Sequence, residues 1–325
     1  MIQLNHFSFD QNSILEVCKR IKPYIHQTPI LTSQSLDKMF GANLFFKCEN
    51  FQKTGAFKMR GAANAVFSLS DSDIKNGVCT HSSGNHAQAL AWAARLRNVP
   101  AYIVMPNNSP AVKKQAVLGY GATVIESENT LQDRERNLAE VMQKTKAFFV
   151  PPYNDYAVIA GQASCAKEII DETPDLDIII SPVGGGGLLS GTAISTHLFS
   201  PKTKVFAAEP ILADDAFESF YSGILQTQRP PKTIADGLRT SLGEKNFEII
   251  QKYVSEIRLA TEEQIVQAMK LIWERLKIVI EPSCALPLAI ILANPQDFAG
   301  KRIAMILTGG NVDLSSFFEN LLSQK

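Results

Sequence analysis

The chain has 325 residues, of which 45% are hydrophobic and 20% charged, the balance of a folded globular protein with room for two modest domains. Its 32 basic and 32 acidic residues cancel, so no net field would recruit nucleic acid or an anionic membrane, and we expect neither partner. The five cysteines are scattered and form no C-x-x-C pair, which excludes an obvious zinc site or disulfide framework, and the chain does not start with a signal-peptide pattern. We therefore expect a cytoplasmic protein.

Short apolar runs alternate with amphipathic segments along the whole chain. The runs that predict buried strands cover residues 44–46, 78–80, 101–105, 123–125, 178–181, 205–208 and 303–307, and the clearest helical patterns cover 87–96, 131–144, 161–171 and 261–276. This alternation predicts an α/β fold with parallel-rich sheets covered by helices. Ligands in such folds bind in the loops beyond the carboxyl ends of strands, so those loops are the places to search.

The first such loop contains Lys58, which stands between Phe57 and Met59. An isolated lysine is most often a solvated surface charge. A lysine whose amine is desolvated among apolar neighbours has a lowered pKa and can act as a neutral nucleophile, which suits Schiff-base chemistry with an aldehyde cofactor. Lys58 is the candidate for that chemistry.

The second loop, Ser82-Ser83-Gly84-Asn85-His86, follows a predicted strand and opens a predicted helix. One serine or asparagine is enough to cap a helix. This run carries more donors than a cap needs and could hold a carboxylate or a phenolic oxygen. On the residues alone, the cap and the ligand site are both open interpretations.

The third loop is a run of four glycines, residues 184–187, between the predicted strand 178–181 and a helical stretch from Leu188. Backbone without side chains can approach an anion closely, and a helix N-terminus directs N–H groups at it, so the run predicts a phosphate site. It lacks the Gly-Lys-Ser/Thr end of a Walker loop. The third glycine of a dinucleotide fingerprint is also missing, but Glu209 stands near the place of a ribose-binding acid, so that alternative stays open here.

Together these motifs resemble the fold-type II family of pyridoxal-phosphate enzymes, in the branch of serine racemases and threonine or serine dehydratases. The matching segments stand in the family's order over nearly the whole chain; they are residues 49–62, 82–86, 158–162, 184–188, 235–237 and 309–314. The resemblance displaces the dinucleotide interpretation. It implies a tryptophan synthase β-like architecture of parallel-rich twisted sheets, with a small domain of residues 74–152 inserted into a large one of residues 1–73 and 153–325.

The resemblance further implies that pyridoxal 5'-phosphate binds in the cleft between those domains. Lys58 would form the Schiff base and move the substrate's α-proton, and Ser83 would face the substrate from the opposite side. Thr308 would face the pyridine nitrogen, where the family more often has serine or cysteine. The other implied cofactor contacts are Phe57, Asn85, Gly184, Gly185, Gly186, Gly187 and Leu188, and the implied substrate contacts are Ser82, Ser83, Asn85 and His86.

Two further sites follow from the resemblance. Composition alone favours a solvated acidic turn at residues 209–215, but the resemblance implies that Mg²⁺ or Ca²⁺ binds Glu209, the carbonyl of Ala213 and Asp215, all hard oxygen ligands. ATP would act as an effector at a subunit interface of a homodimer. Its implied contacts, which surface charge and helix packing also explain, are Lys53, Thr54, Gln88, Tyr120, Lys277 and Asn311.

The expected reaction is elimination of the hydroxyl of L-serine or L-threonine, which releases ammonia with pyruvate or 2-oxobutanoate. Serine racemisation, with or without elimination, and dehydration of 3-hydroxyaspartate are the close alternatives. Ala56, where the family often has serine, leaves the choice of substrate open. A β-replacement enzyme of the cysteine synthase type and a non-catalytic cofactor-binding protein are more distant alternatives.

Overall fold

The computed structural model describes residues 1–4, 7–109, 111–226 and 230–315. The strands are β1 Ile2–Gln3, β2 Ser8–Phe9, β3 Ile30–Thr32, β4 Asn43–Cys48, β5 Val78–His81, β6 Ala101–Pro106, β7 Thr123–Ser127, β8 Phe148–Phe149, β9 Ile178–Pro182, β10 Lys204–Pro210, β11 Glu256–Ala260 and β12 Arg302–Leu307. The helices are α1 Gln11–Ile21, α2 Gln34–Phe40, α3 Lys58–Ser68, α4 Asp71–Ile74, α5 Asn85–Leu96, α6 Ala111–Gly119, α7 Leu131–Thr145, α8 Tyr156–Glu172, α9 Gly187–Phe199, α10 Asp215–Ser222, α11 Glu244–Tyr253, α12 Glu262–Leu276 and α13 Leu286–Ala293.

The larger sheet has six strands in the order β11-β10-β9-β12-β4-β3, all parallel to their neighbours except β3. Its central strands are buried on both faces. Ile178 and Ile180 of β9 pack with α12 and α13, while Ile179 between them packs with α8 and α9 on the other face. A strand covered on both faces favours apolar side chains at successive positions, which is why β9 begins with three isoleucines, residues 178–180.

The smaller sheet has four parallel strands in the order β7-β6-β5-β8. All four lie between residues 78 and 149, inside the segment 74–152 for which the small domain was predicted; the domain boundaries themselves stay a prediction. A short two-stranded pairing of β1 with β2 completes the strands of the described residues. The predicted α/β class with parallel-rich sheets is confirmed.

Local signals account for where several predicted helices begin. Asp155 caps α8 by accepting from the N–H groups of Ala157 and Val158, so α8 begins before the predicted residue 161. Thr261 and Gln264 form a capping box at the start of α12. All five cysteines are free thiols. In the described ranges, no helix combines the length and the apolar character that a membrane span requires.

A buried ion network fixes α3 to the larger sheet and to α8. Arg60, whose side chain is fully buried, donates from Nε and Nη2 to Glu49 and from Nη1 and Nη2 to Glu168, at 2.7 to 2.8 Å. Its remaining N–H reaches Ser164 Oγ at 3.1 Å, so all five guanidinium donors are used. Lys47 adds a second buried cation, 2.7 Å from Glu168. Arg60 lies two residues after Lys58, so the network anchors the helix that begins with Lys58.

Removal of one charge from this network should destabilise the protein strongly, because it leaves the Arg60 guanidinium buried with an incomplete set of partners. We expect Glu49→Gln to lower the free energy of unfolding by about 3–5 kcal/mol. The matched control is Glu140→Gln, which breaks the exposed Glu140–Lys144 pair and should change it by less than about 0.5 kcal/mol. Urea unfolding followed by circular dichroism measures both; equal effects of the two variants would contradict the role of the network.

Candidate active site

Loops that follow strands of both sheets meet at one cavity. It is lined by the loops after β4, β5, β9 and β12, as expected for the carboxyl ends of parallel strands. Every residue predicted for the catalytic, cofactor and substrate contacts lines it; these residues are Phe57, Lys58, Ser82, Ser83, Asn85, His86, Gly184, Gly185, Gly186, Gly187, Leu188 and Thr308. The cavity therefore brings together residues that lie up to 251 positions apart in the chain, from Phe57 to Thr308.

Lys58 is the first residue of α3, and its amine points at the wall of the cavity. Its Nζ donates to the carbonyl of Pro152 at 2.7 Å and lies 5.2 Å from the ring centroid of Phe57. Solvent in the cavity touches part of the side chain, but the surrounding protein desolvates the amine and lowers its pKa to about 8, against the opposing field of Glu281. A pKa of about 8 makes Lys58 a partly neutral amine near physiological pH.

The glycine loop, residues 184–187, forms a closely packed cradle of backbone N–H groups at the start of α9. Gly186 stands at the N-cap with φ of 92°, a conformation that favours glycine, and no side chain caps the helix. A Cβ at Gly185 would lie 2.4 Å from the ring of Tyr153, and Asn246 Nδ2 donates to the Gly185 carbonyl at 2.9 Å. The loop is therefore held by close packing, and its uncapped N–H groups are available to an anion.

The loop before α5 does not act as a side-chain cap. The N-cap residue is Gly84, and no side chain accepts from the first turn of the helix, so the capping interpretation was wrong. Ser83 is exposed toward the cleft. His86 contacts the Val150 carbonyl through Nε2 at 3.1 Å, and burial, followed by the field of Lys58, lowers its pKa to about 3. His86 is therefore neutral, and the free N–H groups of this turn are the better carboxylate donors.

The loop after β12 is fastened to the residues that precede Lys58. Phe57 N–H donates to the Thr308 carbonyl at 3.0 Å, and Ala56 forms an isolated antiparallel bridge with Gly309. The Thr308 side chain is buried, and its Oγ1 has no hydrogen-bond partner among the described residues. A buried hydroxyl without a partner is one that a ligand can satisfy.

These features fit pyridoxal phosphate. The cofactor has an aldehyde, a phosphate and a pyridine nitrogen, and the cavity offers an amine of lowered pKa at Lys58, uncapped N–H groups at the glycine loop and an unpartnered hydroxyl at Thr308. Each group of the cofactor therefore has a chemically matched group in the same cavity.

Three features of the cavity were missed by sequence reasoning. Arg134, in the first turn of α7, lines the cavity. Glu281 is buried there and accepts from Asn85 Nδ2 at 2.7 Å. Lys113 of α6 is 2.5 Å from Asp236, across the cleft. Asp236 lies within the segment 235–237 that the sequence analysis noted, but it had no assigned role there. Arg134, Glu281 and Lys113 resemble ordinary surface charges in their local sequence.

The residues predicted to bind a metal lie outside this cavity. Glu209, at the end of β10, accepts from two backbone N–H groups of the first turn of α10 at 2.9 and 2.7 Å. Asp215 accepts from the Leu242 N–H at 3.0 Å and lines a second cavity with Ala213. Leu242 also touches the glycine loop, because a Cβ at Gly186 would lie 2.7 Å from its Cδ1. In the described part of the chain, no three His, Cys, Asp or Glu side chains form a metal-binding group.

The residues predicted to bind a nucleotide are in different surroundings. Asn311 Nδ2 donates to the Thr54 carbonyl at 2.8 Å, next to Lys53. Gln88 is buried in α5, and the Tyr120 ring packs on Trp92 with centroids 5.2 Å apart. The last of the six, Lys277, is exposed after α12. A nucleotide effect stays a prediction, as does the homodimer.

The lowered pKa of Lys58 gives a testable rate profile. Because only the neutral amine attacks an aldehyde, covalent binding of pyridoxal phosphate to the apoprotein should accelerate with pH through about 8 and then level off. At pH 7 about a tenth of such an amine is neutral, against roughly 0.03% for an ordinary lysine. Stopped-flow absorbance between about pH 6 and about pH 10 measures the rate; a rate that still climbs steeply near the upper limit would contradict a desolvated amine.

Comparison with known proteins identifies the family. The family described as "Pyridoxal-phosphate dependent enzyme" matches residues 21–309. The chain is 52% identical to the beta-hydroxyaspartate dehydratase of Paracoccus denitrificans, over 93% of this chain and 96% of that protein. It is 49% identical to the serine racemase of Dictyostelium discoideum, over 93% and 95%. The structure of maize serine racemase matches with a TM-score of 0.95 and 42% identity, over 98% of each chain. The chain therefore belongs to the fold-type II pyridoxal-phosphate-dependent enzymes.

Proposed function

We propose that the protein is an ammonia-lyase that eliminates the hydroxyl of a β-hydroxy amino acid, and that its preferred substrate is 3-hydroxyaspartate, which carries a second carboxylate. The sequence alone favoured serine and threonine. The observation that changes the preference is a cationic side chain without an anionic partner in the cavity, that of Arg134.

Arg134 is half-buried, and its Nε donates a long hydrogen bond to the Thr130 carbonyl, at 3.3 Å. Desolvation lowers its pKa, while Tyr153 and Glu135 oppose the shift only in part. No carboxylate of the described residues lies within ion-pair distance of it, whereas Arg60 and Arg258 each have two. A desolvated guanidinium that lines a substrate cavity is well suited to bind a carboxylate.

The neighbours of Arg134 favour an anionic ligand at the same place. Burial, followed by the field of Arg134, lowers the pKa of His81 to about 4, so this imidazole is neutral and adds no competing charge. His81 also lines the cavity, next to Ser82. The β-carboxylate of 3-hydroxyaspartate would place a negative charge where serine has a hydrogen atom and threonine a methyl group. The relative named beta-hydroxyaspartate dehydratase supports this assignment.

The residues of the cavity have separate tasks in the proposed elimination. Bound pyridoxal phosphate supplies the electron sink that makes the substrate's α-proton acidic. Lys58, whose amine is partly neutral, accepts that proton. The N–H groups at the start of α5 orient the α-carboxylate. Thr308, a hydroxyl, cannot hold the pyridine nitrogen protonated as a carboxylate would, which favours rapid loss of the β-hydroxyl over a long-lived charged state.

Serine racemisation is the second candidate, and Ser83 is the observation that favours it. Ser83 is exposed into the cleft and lines the cavity together with Lys58. A racemase needs a second proton donor opposite the first base. Chiral analysis of L-serine incubated with the holoenzyme measures this activity: D-serine that forms with Ser83 intact and disappears in Ser83→Ala would establish it.

The first test of the proposed function is release of 2-oxo acid from 3-hydroxyaspartate, L-serine and L-threonine by the cofactor-loaded protein. We expect kcat/KM to be highest for 3-hydroxyaspartate, and we expect no release in Lys58→Ala because the base is missing. Release only from serine or threonine would return the assignment to those substrates. Release from none of the three would exclude the ammonia-lyase function.

The role of Arg134 is tested by Arg134→Leu, which removes the charge that would bind the second carboxylate. We expect kcat/KM for 3-hydroxyaspartate to fall about tenfold to a hundredfold, the effect of one charged hydrogen-bonding group, with little change for serine. Arg136→Leu is the matched control, because Arg136 lies on the same helix with 68% of its side chain exposed. An equal loss for both substrates would show that Arg134 supports the structure and does not select the substrate.

We further propose that Mg²⁺ or Ca²⁺ binds at Glu209, the Ala213 carbonyl and Asp215. Desolvation and Asp215 raise the pKa of Glu209 well above its usual range, and burial raises that of Asp215 to about 6. Two neighbouring carboxylates that lose solvent in this way favour a divalent cation, and oxygen ligands suit both ions. The cation would order the segment that contacts the glycine loop through Leu242.

This metal proposal predicts that Mg²⁺ raises the thermal unfolding midpoint of the protein, since a ligand of the native state stabilises it. Asp215→Asn should abolish that increase. Without added metal, the unfolding midpoint of the variant should be no lower than that of the wild-type protein, because the substitution relieves the repulsion between Asp215 and Glu209. Differential scanning calorimetry with and without Mg²⁺ measures both effects, and an undiminished metal response in the variant would exclude this site.

A further inference from the structure

Glu281 is a buried carboxyl group in the cavity that the proposed elimination does not use. It precedes the turn Pro282–Ala285, and its backbone N–H donates to the Gly309 carbonyl at 3.0 Å. Only 2% of the residue is exposed, and Oε2 has no hydrogen-bond partner among the described residues. Burial of a carboxyl group is costly. A carboxyl that is buried in a reactive cavity is therefore a candidate for a functional role.

A hydrogen-bond relay gives Glu281 a defined partner. The Thr54 carbonyl, which can only accept, receives an N–H from Asn311 Nδ2 at 2.8 Å and so fixes which end of that amide faces it. The same nitrogen donates to Asn85 Oδ1 at 2.9 Å. Asn85 Nδ2 must then face the other way, where it donates to Glu281 Oε1 at 2.7 Å. A backbone carbonyl at one end thus sets the orientation of both amides.

The relay leaves one donor of Asn85 without a partner. An amide nitrogen carries two N–H groups, and Glu281 accepts one of them. Asn85 lines the cavity, so its second N–H is available to a ligand. We propose that Glu281 is a positioning residue that holds the amide of Asn85 with its second N–H presented to the ring oxygen of the bound cofactor. This inference rests on the proposed function, because that function supplies the ring oxygen.

Charged and titratable groups from four elements face Glu281. Burial raises its pKa to about 7, the Lys113 ammonium lowers it and Asp236 raises it. The Glu281 carboxylate in turn opposes the lowering of the Lys58 pKa and adds to the raised pKa of Cys284. Glu281 therefore gains a proton as the pH falls through about 7. Since Oε1 accepts from Asn85, the proton resides on Oε2, and the hydrogen bond to Asn85 is kept in both states while the charge changes.

Two substitutions separate the hydrogen bond from the charge. Glu281→Leu removes the acceptor, so we expect about tenfold to a hundredfold weaker binding of pyridoxal phosphate, as for loss of one charged hydrogen bond, and a shifted absorbance maximum of the bound cofactor. Glu281→Gln keeps an acceptor for Asn85. It should bind the cofactor within about threefold of wild type with the wild-type absorbance maximum. It should also lose the spectral change that titrates near pH 7 in the wild-type protein.

Equilibrium titration with pyridoxal phosphate and absorbance spectra of the holoenzyme are the measurements, and Glu263→Leu, at an exposed position of α12, is the control. A Leu variant with wild-type affinity and spectrum would overturn the positioning role. So would a Gln variant that behaves like the Leu variant. If Glu281→Leu does not fold, Asn311→Ala breaks the relay at its other end and should shift the same spectrum; an unshifted spectrum there also overturns the inference. Failure of the wild-type protein to bind pyridoxal phosphate would instead exclude the proposed function.

Discussion

Desolvation of the Lys58 amine is the constraint on which the site depends. The amine reaches a pKa of about 8 because α3 begins inside the protein, where the surrounding protein desolvates its first residue. The network around Arg60 holds that helix in place through charges that are themselves buried, and such a network stabilises only while every partner is present. The Arg60 network that anchors α3 therefore also holds the Lys58 amine in its desolvated position.

The two parallel sheets explain how groups far apart in the chain share a cavity. Parallel strands of one sheet end at the same edge, so the loops after β4, β9 and β12 converge, and the loop after β5 of the smaller sheet meets them at the cavity. Close contacts then lock them together, as between Phe57 N–H and the Thr308 carbonyl. The Lys113–Asp236 pair also lines the cavity, where it links α6 to residues Asp236–Leu238. Contacts between the loops therefore hold the residues to which the cofactor groups would bind.

Much of the fold and part of the site could be predicted because their signals are local. The apolar runs mark the central strands. The four successive glycines and the lysine between apolar residues can each be recognised from a few neighbouring positions. Arg134 could not be predicted, because its helix carries several charges and only the fold shows which one faces the cavity. Glu281 depends on Asn85, 196 positions away. The cap interpretation of the loop before α5 failed because Gly84, rather than a polar residue, occupies the N-cap.

The central claim is that this cavity holds pyridoxal phosphate covalently through Lys58. The most direct test is to load the protein with the cofactor, reduce it with borohydride, digest it and locate the modified lysine by mass spectrometry. The account predicts a single phosphopyridoxyl group on the peptide that contains Lys58. Modification spread over surface lysines, or a principal site elsewhere in the chain, would contradict it.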